Sequence, residues 1–169
     1  MRKYKFDKEL IGNLELGRPN LGVEIDLEMY RTMQFTLRDV LEQKIGPEEA
    51  DKIFYEAGKI AGKYFFETYI DPVSSVEEFV SKTQKALKDK KIGILRIEEA
   101  ALEDGKVVLT IDEDLDCSGL PELDYETCIY DEGFVASLFE KYTGDIWHAK
   151  EIDCWCTGAR TCRFLATKQ

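Results

Sequence analysis

Three cysteines and a glutamate near the C-terminus, Cys128, Glu151, Cys154 and Cys162, constrain this chain more than any other feature. Together they offer three thiols and one carboxylate, a complete tetrahedral shell, and soft sulfur with one oxygen suits Zn²⁺. A shell drawn wholly from protein side chains leaves no position for water, so it reads as a structural clamp before a catalytic centre. Whatever the fold, the segment that carries Cys128 must then lie against the segment that carries Cys154 and Cys162.

The run from Glu151 to Phe164 has a turn signal at Thr157-Gly158 between two short strand-like stretches, and it reads as a β-hairpin. Folding it back brings Cys154 or Cys156 close to Cys162, with Cys128 arriving from the preceding helix. In an ideal strand residues three apart face opposite sides, so Glu151 and Cys154 converge only if the strand bulges or begins late. Strict alternation places His148, Cys154 and Cys156 on one face instead, which makes Cys156 and His148 rivals for the fourth position. Buried free thiols are the plain alternative, but four of the five cysteines fall within 35 residues, which favours a metal. The N-terminal residues alternate charged and aromatic side chains with no apolar run, unlike a secretory signal, so a cytoplasmic chain with reduced thiols is expected. Cys117 stands outside the pattern and reads as a spare thiol.

Residues 26–45 carry apolar side chains at Leu27, Tyr30, Met33, Leu37, Val40, Leu41 and Ile45, the period of a helix with one buried face. Gly46-Pro47 ends it and opens a second helix with Glu48 and Glu49 in its first turn and a stripe of Ile53, Phe54, Ala57, Ile60, Ala61, Tyr64 and Phe65. Gly58 and Gly62 lie one turn apart there, and glycine costs about 1 kcal/mol relative to alanine in a helix interior. Close helix packing is the expected compensation. A third helix starts with Ser74 or Ser75 as cap and runs to about Lys88. The period then becomes alternating, with strands at 92–102 and 106–111 around the turn Glu103-Asp104-Gly105. The acidic run 112–116 lacks the glycine and ligand spacing of an EF-hand and reads as a solvated loop. A helix over 125–142 and strands over 145–156 and 160–166 complete an α+β domain of about four helices on a small antiparallel sheet, its C-terminal hairpin clamped by zinc. Residues 1–17 read as an N-terminal arm or edge strand, and 18–169 as a single domain.

A chain of 169 residues suits one sizeable core. No apolar stretch approaches the roughly 18 residues of a membrane span. With 34 acidic against 23 basic residues the net charge is −11, which repels phosphate backbones and speaks against direct nucleic-acid binding. Lys and Glu dominate the charges and Asn and Gln total six residues, a weak thermophile signal.

Cys128, Glu151-x-x-Cys154 and Cys162 after seven intervening residues, with Gly133-Phe134 between, resemble the 4-vinyl-reductase-type domain. That domain is also the sensory module of phenol- and toluene-responsive transcription activators. Arg18-Pro19-x-Leu21-Gly22 and Tyr55-Glu56-Ala57-Gly58-Lys59-x-x-Gly62 extend the resemblance, which spans about residues 18 to 167. It implies Zn²⁺ held by Cys128, Glu151, Cys154 and Cys162, and so resolves the fourth ligand in favour of Glu151. It also implies a hydrophobic ligand held between helices and sheet, a homodimer, and kinship with TRAPP vesicle-tethering subunits and haem-nitric-oxide sensors.

The implied function is a stand-alone sensor or carrier of a small hydrophobic or hydrocarbon molecule, passing its output to a protein partner or through its own oligomer. Nine Phe, eight Tyr and two Trp are available to line a pocket, with Tyr30, Met33, Phe54, Phe65, Phe79 and Phe134 as candidates. The phenol sensors grip the hydroxyl with a His and a Trp upstream of the first zinc cysteine, whereas His148, Trp147 and Trp155 all follow Cys128 here. Phenol recognition therefore does not carry over, and His148 is poorly placed as a haem ligand. A reductase, or a reductase accessory protein for a vinyl or tetrapyrrole-like substrate, is one alternative, but no GxGxxG fingerprint and no C-x-x-C cluster run supplies an electron source. A structural adaptor that holds a partner by its acidic surface without any ligand is the other.

Overall fold

The computed structural model describes residues 3–169, so Met1 and Arg2 of the expected N-terminal arm lie outside the described residues. The chain divides into two compact units, Met1–Asp39 and Val40–Gln169.

In the first unit the arm takes helical turns rather than an edge strand. A 3₁₀ turn over Lys8–Ile11 is capped by the Asp7 carboxylate, and a one-turn helix α1, Leu14–Gly17, by Asn13, whose Oδ1 accepts from Leu16 N at 2.9 Å. Local side-chain caps outcompete strand pairing here because each satisfies a backbone donor at once. The unit also holds the start of α2, Leu27–Ile45, whose first turn is fixed by Asp26 Oδ1 accepting from Glu28 N at 2.8 Å. The periodicity of α2 is as expected but its face is not covered: no residue of this helix is buried.

The second unit contains α3, Pro47–Phe65, which continues into a π-helical turn, Phe66–Ile70, then α4, Val76–Asp89, and α5, Ile129–Thr143. Ser75 caps α4, its Oγ accepting from Glu78 N. The buried stripe of α3 is Ala50, Phe54, Gly58, Gly62 and Phe65, narrower than the periodicity suggests, with Ile53 and Ile60 exposed. The two glycines explain it. A Cβ on Gly58 would lie 1.9 Å from the Tyr130 carbonyl oxygen, and one on Gly133 would lie 2.0 Å from that of Tyr55, so α3 and α5 touch backbone to backbone.

Strands β1, Ile94–Ala101, β2, Lys106–Asp112, β3, Trp147–Asp153, and β4, Cys162–Lys168, form one antiparallel sheet in the order β1-β2-β4-β3. Alternation sets which side chains face the core. On β3 these are Trp147, Ala149 and Glu151, and on β4 Cys162, Phe164 and Ala166. The pattern that buries Trp147 therefore carries Glu151 into the interior as well. The register between β3 and β4 shifts between Glu151 and Asp153, which is the bulge that convergence of Glu151 and Cys154 requires.

Candidate metal centre

Each cysteine of the C-terminal pattern is delivered by a different local device. Cys128 is the N-cap of α5, which begins at Ile129 rather than near Tyr125 because Cys128 itself has left helical geometry. Cys154 precedes a 3₁₀ turn, Trp155–Thr157, whose reversal is completed at Gly158 with φ of 92°. Cys162 opens β4 on its core face.

All three are fully buried, with Cys128 Sγ 3.7 Å from Cys162 Sγ and 4.0 Å from Cys154 Sγ. Zn–S bonds of about 2.3 Å give a tetrahedral sulfur–sulfur edge of about 3.8 Å, so these separations match a shared ion. Glu151 is 1% exposed; its Oε2 accepts from Cys128 N at 3.3 Å, and its Oε1 is buried with no hydrogen-bond partner. A buried carboxylate oxygen without a partner costs free energy unless a cation or proton meets it. Burial, and then the Cys154 sulfur, push the Glu151 carboxyl up to about 8. The donor set and the orphaned oxygen both fit a soft divalent cation.

The structure brings in a fourth thiol. Cys117, read from the sequence as a spare, is fully buried with its Sγ 3.0 Å from Cys162 Sγ, and the sulfurs of Cys117, Cys128, Cys154 and Cys162 lie within 4.8 Å of one another. Forty-five residues separate Cys117 from Cys162, so no local spacing signals the encounter. The acidic run before it is not a solvated loop: Asp114 and Asp116 are buried. Asp114 Oδ1 accepts from the N–H groups of Asp116 at 2.8 Å and Cys117 at 3.1 Å, forming the turn that carries Cys117 inward. Burial, and then Asp116, hold the Asp114 carboxyl at about 7.

The two rival ligands lie elsewhere. Cys156 is buried but meets Thr127 Oγ1 at 3.3 Å, outside the four-sulfur group. His148 is exposed and stacks on Tyr55 with ring centroids 5.4 Å apart.

Of the pocket candidates, Tyr30 and Met33 lie on α2 in the first unit, half-buried and 64% exposed. Phe54, Phe65, Phe79 and Phe134 are buried in the second. Phe65 packs on Phe134 at 5.2 Å, and Phe79 stacks on Tyr142 at 4.4 Å, so these rings fill core. Phe79 also borders an apolar gap with Val80, Thr83, Leu95, Leu109 and Val135, between α4, α5 and the sheet. Its volume is about 10 Å³, room for one water, against the roughly 150 Å³ of an engineered cavity that takes benzene.

The sulfur cluster and the elements that carry it, from β2 through α5 to the end of β4, coincide with one family pattern. Residues 107–168 match the vinyl-4-reductase (V-4-R) domain. The V-4-R segment holds every sulfur of the cluster. Over 164 residues the chain is 27% identical to an uncharacterized protein, MJ0150, of Methanocaldococcus jannaschii, covering 97% of this chain and 88% of that one. Its fold is shared with the phenol-responsive sensory domain of the transcription activator PoxR, solved with phenol (TM-score 0.66, 14% identity, 86% of this chain and 76% of that one). It is shared equally with a vinyl-4-reductase family protein of Methanocaldococcus jannaschii (TM-score 0.65, 16% identity, 98% of each chain). A trafficking protein particle complex subunit 3 from Naegleria fowleri, covalently bound to palmitic acid, has the same fold (TM-score 0.62, 12% identity, 85% of this chain and 95% of that one).

Proposed function

We propose that this chain is a zinc-clamped V-4-R module that senses or carries a small hydrophobic molecule, works as a homodimer in the cytoplasm, and hands its output to a protein partner. The observation that carries the metal half is the buried group of thiols beside a carboxylate oxygen with no partner. Cys128, Cys154 and Cys162 hold the ion, with Glu151 as the fourth donor that the family pattern implies. Bound there, zinc supplies charge neutralisation and a cross-link. The side chains around it do the rest: Glu151 holds the Cys128 N–H, and Glu132 Oε1 holds Glu151 N at 2.9 Å.

Support for the ligand half comes from the fold relatives, which hold phenol and palmitic acid, and from the apolar gap beside α5. At about 10 Å³ that gap is too small for such a ligand as it stands, so one would enter it by parting α4 from α5 or from the sheet. The dimer is supported by the first unit, where Leu21 and Ile25 are 79% and 66% exposed and no described residue is buried, an apolar surface that a second copy would cover. Among the described residues no helix is long and apolar enough to cross a membrane.

The test is metal content of protein purified without chelator, followed by hydrogen exchange with phenol, toluene and palmitate added in turn. About one zinc per chain, and changed exchange in residues 125–167 with at least one probe, is the expected result. Unchanged exchange with every probe would remove the ligand half. It would leave the structural adaptor, the second reading, which the small volume of the gap favours.

A further inference from the structure

We infer that Cys117 and Cys162 form a redox pair: peroxide joins them in a disulfide, which takes Cys162 away from the metal and so opens the clamp. The inference rests on the metal-clamped reading above and gives it a means of regulation. Cys117 Sγ lies 3.0 Å from Cys162 Sγ, nearer than Cys128 Sγ at 3.7 Å, and both thiols are fully buried. With Zn–S bonds of about 2.3 Å, that separation would close the angle at zinc to about 80°, well short of tetrahedral. Cys117 is therefore a neighbour of the shell rather than a member, and the fourth place stays with Glu151, whose Oε1 has no hydrogen-bond partner. A thiol held against a ligand sulfur is placed to attack that sulfur once it is oxidised.

The chain also builds the position of Cys117. Asp114, itself buried, accepts from the N–H groups of Asp116 and Cys117 to turn the backbone there, and Leu120 N donates to the Cys117 carbonyl at 3.0 Å. The loop that follows is pinned on the turn holding Cys154: Trp155 Nε1 donates to the Leu120 carbonyl at 3.0 Å, and Leu123 N to that of Cys156. In the first step the Cys162 thiolate attacks one oxygen of hydrogen peroxide. The O–O bond breaks, a sulfenic acid forms, and the hydroxide that leaves takes a proton from solvent. The Cys117 thiol then attacks the Cys162 sulfur: the S–S bond forms, the S–O bond breaks, and the hydroxide leaves as water with the Cys117 proton. Each sulfur gives up one electron, and the peroxide is reduced to two waters. A disulfide sulfur is no thiolate, so Cys162 gives up its place at the metal. The start of α5 is then released from β4, and the loop before it is tied there instead. Because α5 lines the apolar gap through Val135, Leu138 and Phe139, oxidation loosens one wall of that gap.

The experiment treats zinc-loaded, full-length protein with hydrogen peroxide. Zinc release is read with a colorimetric chelator, and the bridge is located by peptide mass spectrometry after alkylation. The parent should release about one zinc per Cys117–Cys162 disulfide formed and take it back after dithiothreitol. Cys117→Ser should purify with about one zinc per chain, since the residue lies outside the shell. It should lose that zinc to peroxide without recovery, because Cys162 with no resolving thiol passes on to sulfinic acid. No bridge in the parent, a bridge between other cysteines, or release from Cys117→Ser that dithiothreitol reverses would overturn the inference and leave the clamp standing. A folded Cys117→Ser that holds no zinc would do the same. Zinc absent from the reduced parent would overturn the clamp itself. Should Cys117→Ser fail to fold, the bridge mapped in the parent decides alone.

Discussion

Glu132 shows how much one buried carboxylate can organise. It is buried on α5, and its Oε1 accepts from both Glu151 N at 2.9 Å and Lys150 Nζ at 2.8 Å, fixing β3 against the helix beside the sulfur cluster. Replacing it by alanine leaves a buried N–H without an acceptor, so Glu132→Ala should lose about 2 kcal/mol in urea unfolding. Glu132→Gln, which keeps an acceptor oxygen, should lose less. Its neighbour Asp131 is the opposite case. Its Oδ2 is buried without a hydrogen-bond partner, and burial, then Asp114, push the carboxyl well above the usual carboxylate range. Asp131→Asn removes the ionisable group at almost constant shape and should raise the melting temperature, by the equivalent of about 1 kcal/mol. A lowered melting temperature would mean that this carboxylate is itself needed, as a partner for a cation.

Helices α3 and α5 are matched by their glycines, and α4 is held by its cap. Gly58→Ala would drive a methyl into the Tyr130 carbonyl, and backbone at both sides cannot yield as a flexible side chain can. A loss of about 3 kcal/mol is expected. Gly17→Ala, with open space around it, should stay within about 1 kcal/mol of the parent. At the start of α4, Glu78 pairs with Lys82 at 2.9 Å and accepts from Ser74, which lowers its carboxyl from 4.5 to about 2. A carboxylate with a lowered folded-state value contributes stability that is full above its unfolded value and lost as pH falls toward the folded one. The gap in urea midpoint between parent and Glu78→Gln should therefore hold at pH 7, narrow below about 4.5 and close near 2.

At the scale of the whole molecule the proposed metal clamp and the exposed first unit make separate predictions. If one ion joins the loop 113–128, the start of α5 and the hairpin, chelation should raise hydrogen exchange in all three together, while α4 and β1 hold their protection. A rise confined to the hairpin would show that the loop is anchored by its hydrogen bonds alone. The apolar surface of the first unit predicts a dimer by light scattering, shifted toward monomer by Ile25→Asp.

From α2 onward the order of elements, the four-stranded antiparallel sheet and the helix starts at Pro47 and Ser75 were legible in the chain, because periodicity, caps and turn glycines act over a few residues. The grouping of Cys128, Cys154 and Cys162 was legible for the same reason, two of its members flanking one turn. Even the bulge beside Glu151 could be anticipated, since a period of two forbids the convergence otherwise. Three things were decided only by tertiary structure. Cys117 enters the sulfur group across 45 residues of sequence, through a turn made by an aspartate that composition alone would assign to solvent. The apolar face of α2 is left uncovered, although its period is that of a buried helix. The aromatic rings that could have lined a pocket pack on one another and leave a gap of about 10 Å³. Local chemistry determines which faces are apolar and which atoms can bind metal. Which of those faces and atoms meet is settled by packing, where distant segments compete for the same volume.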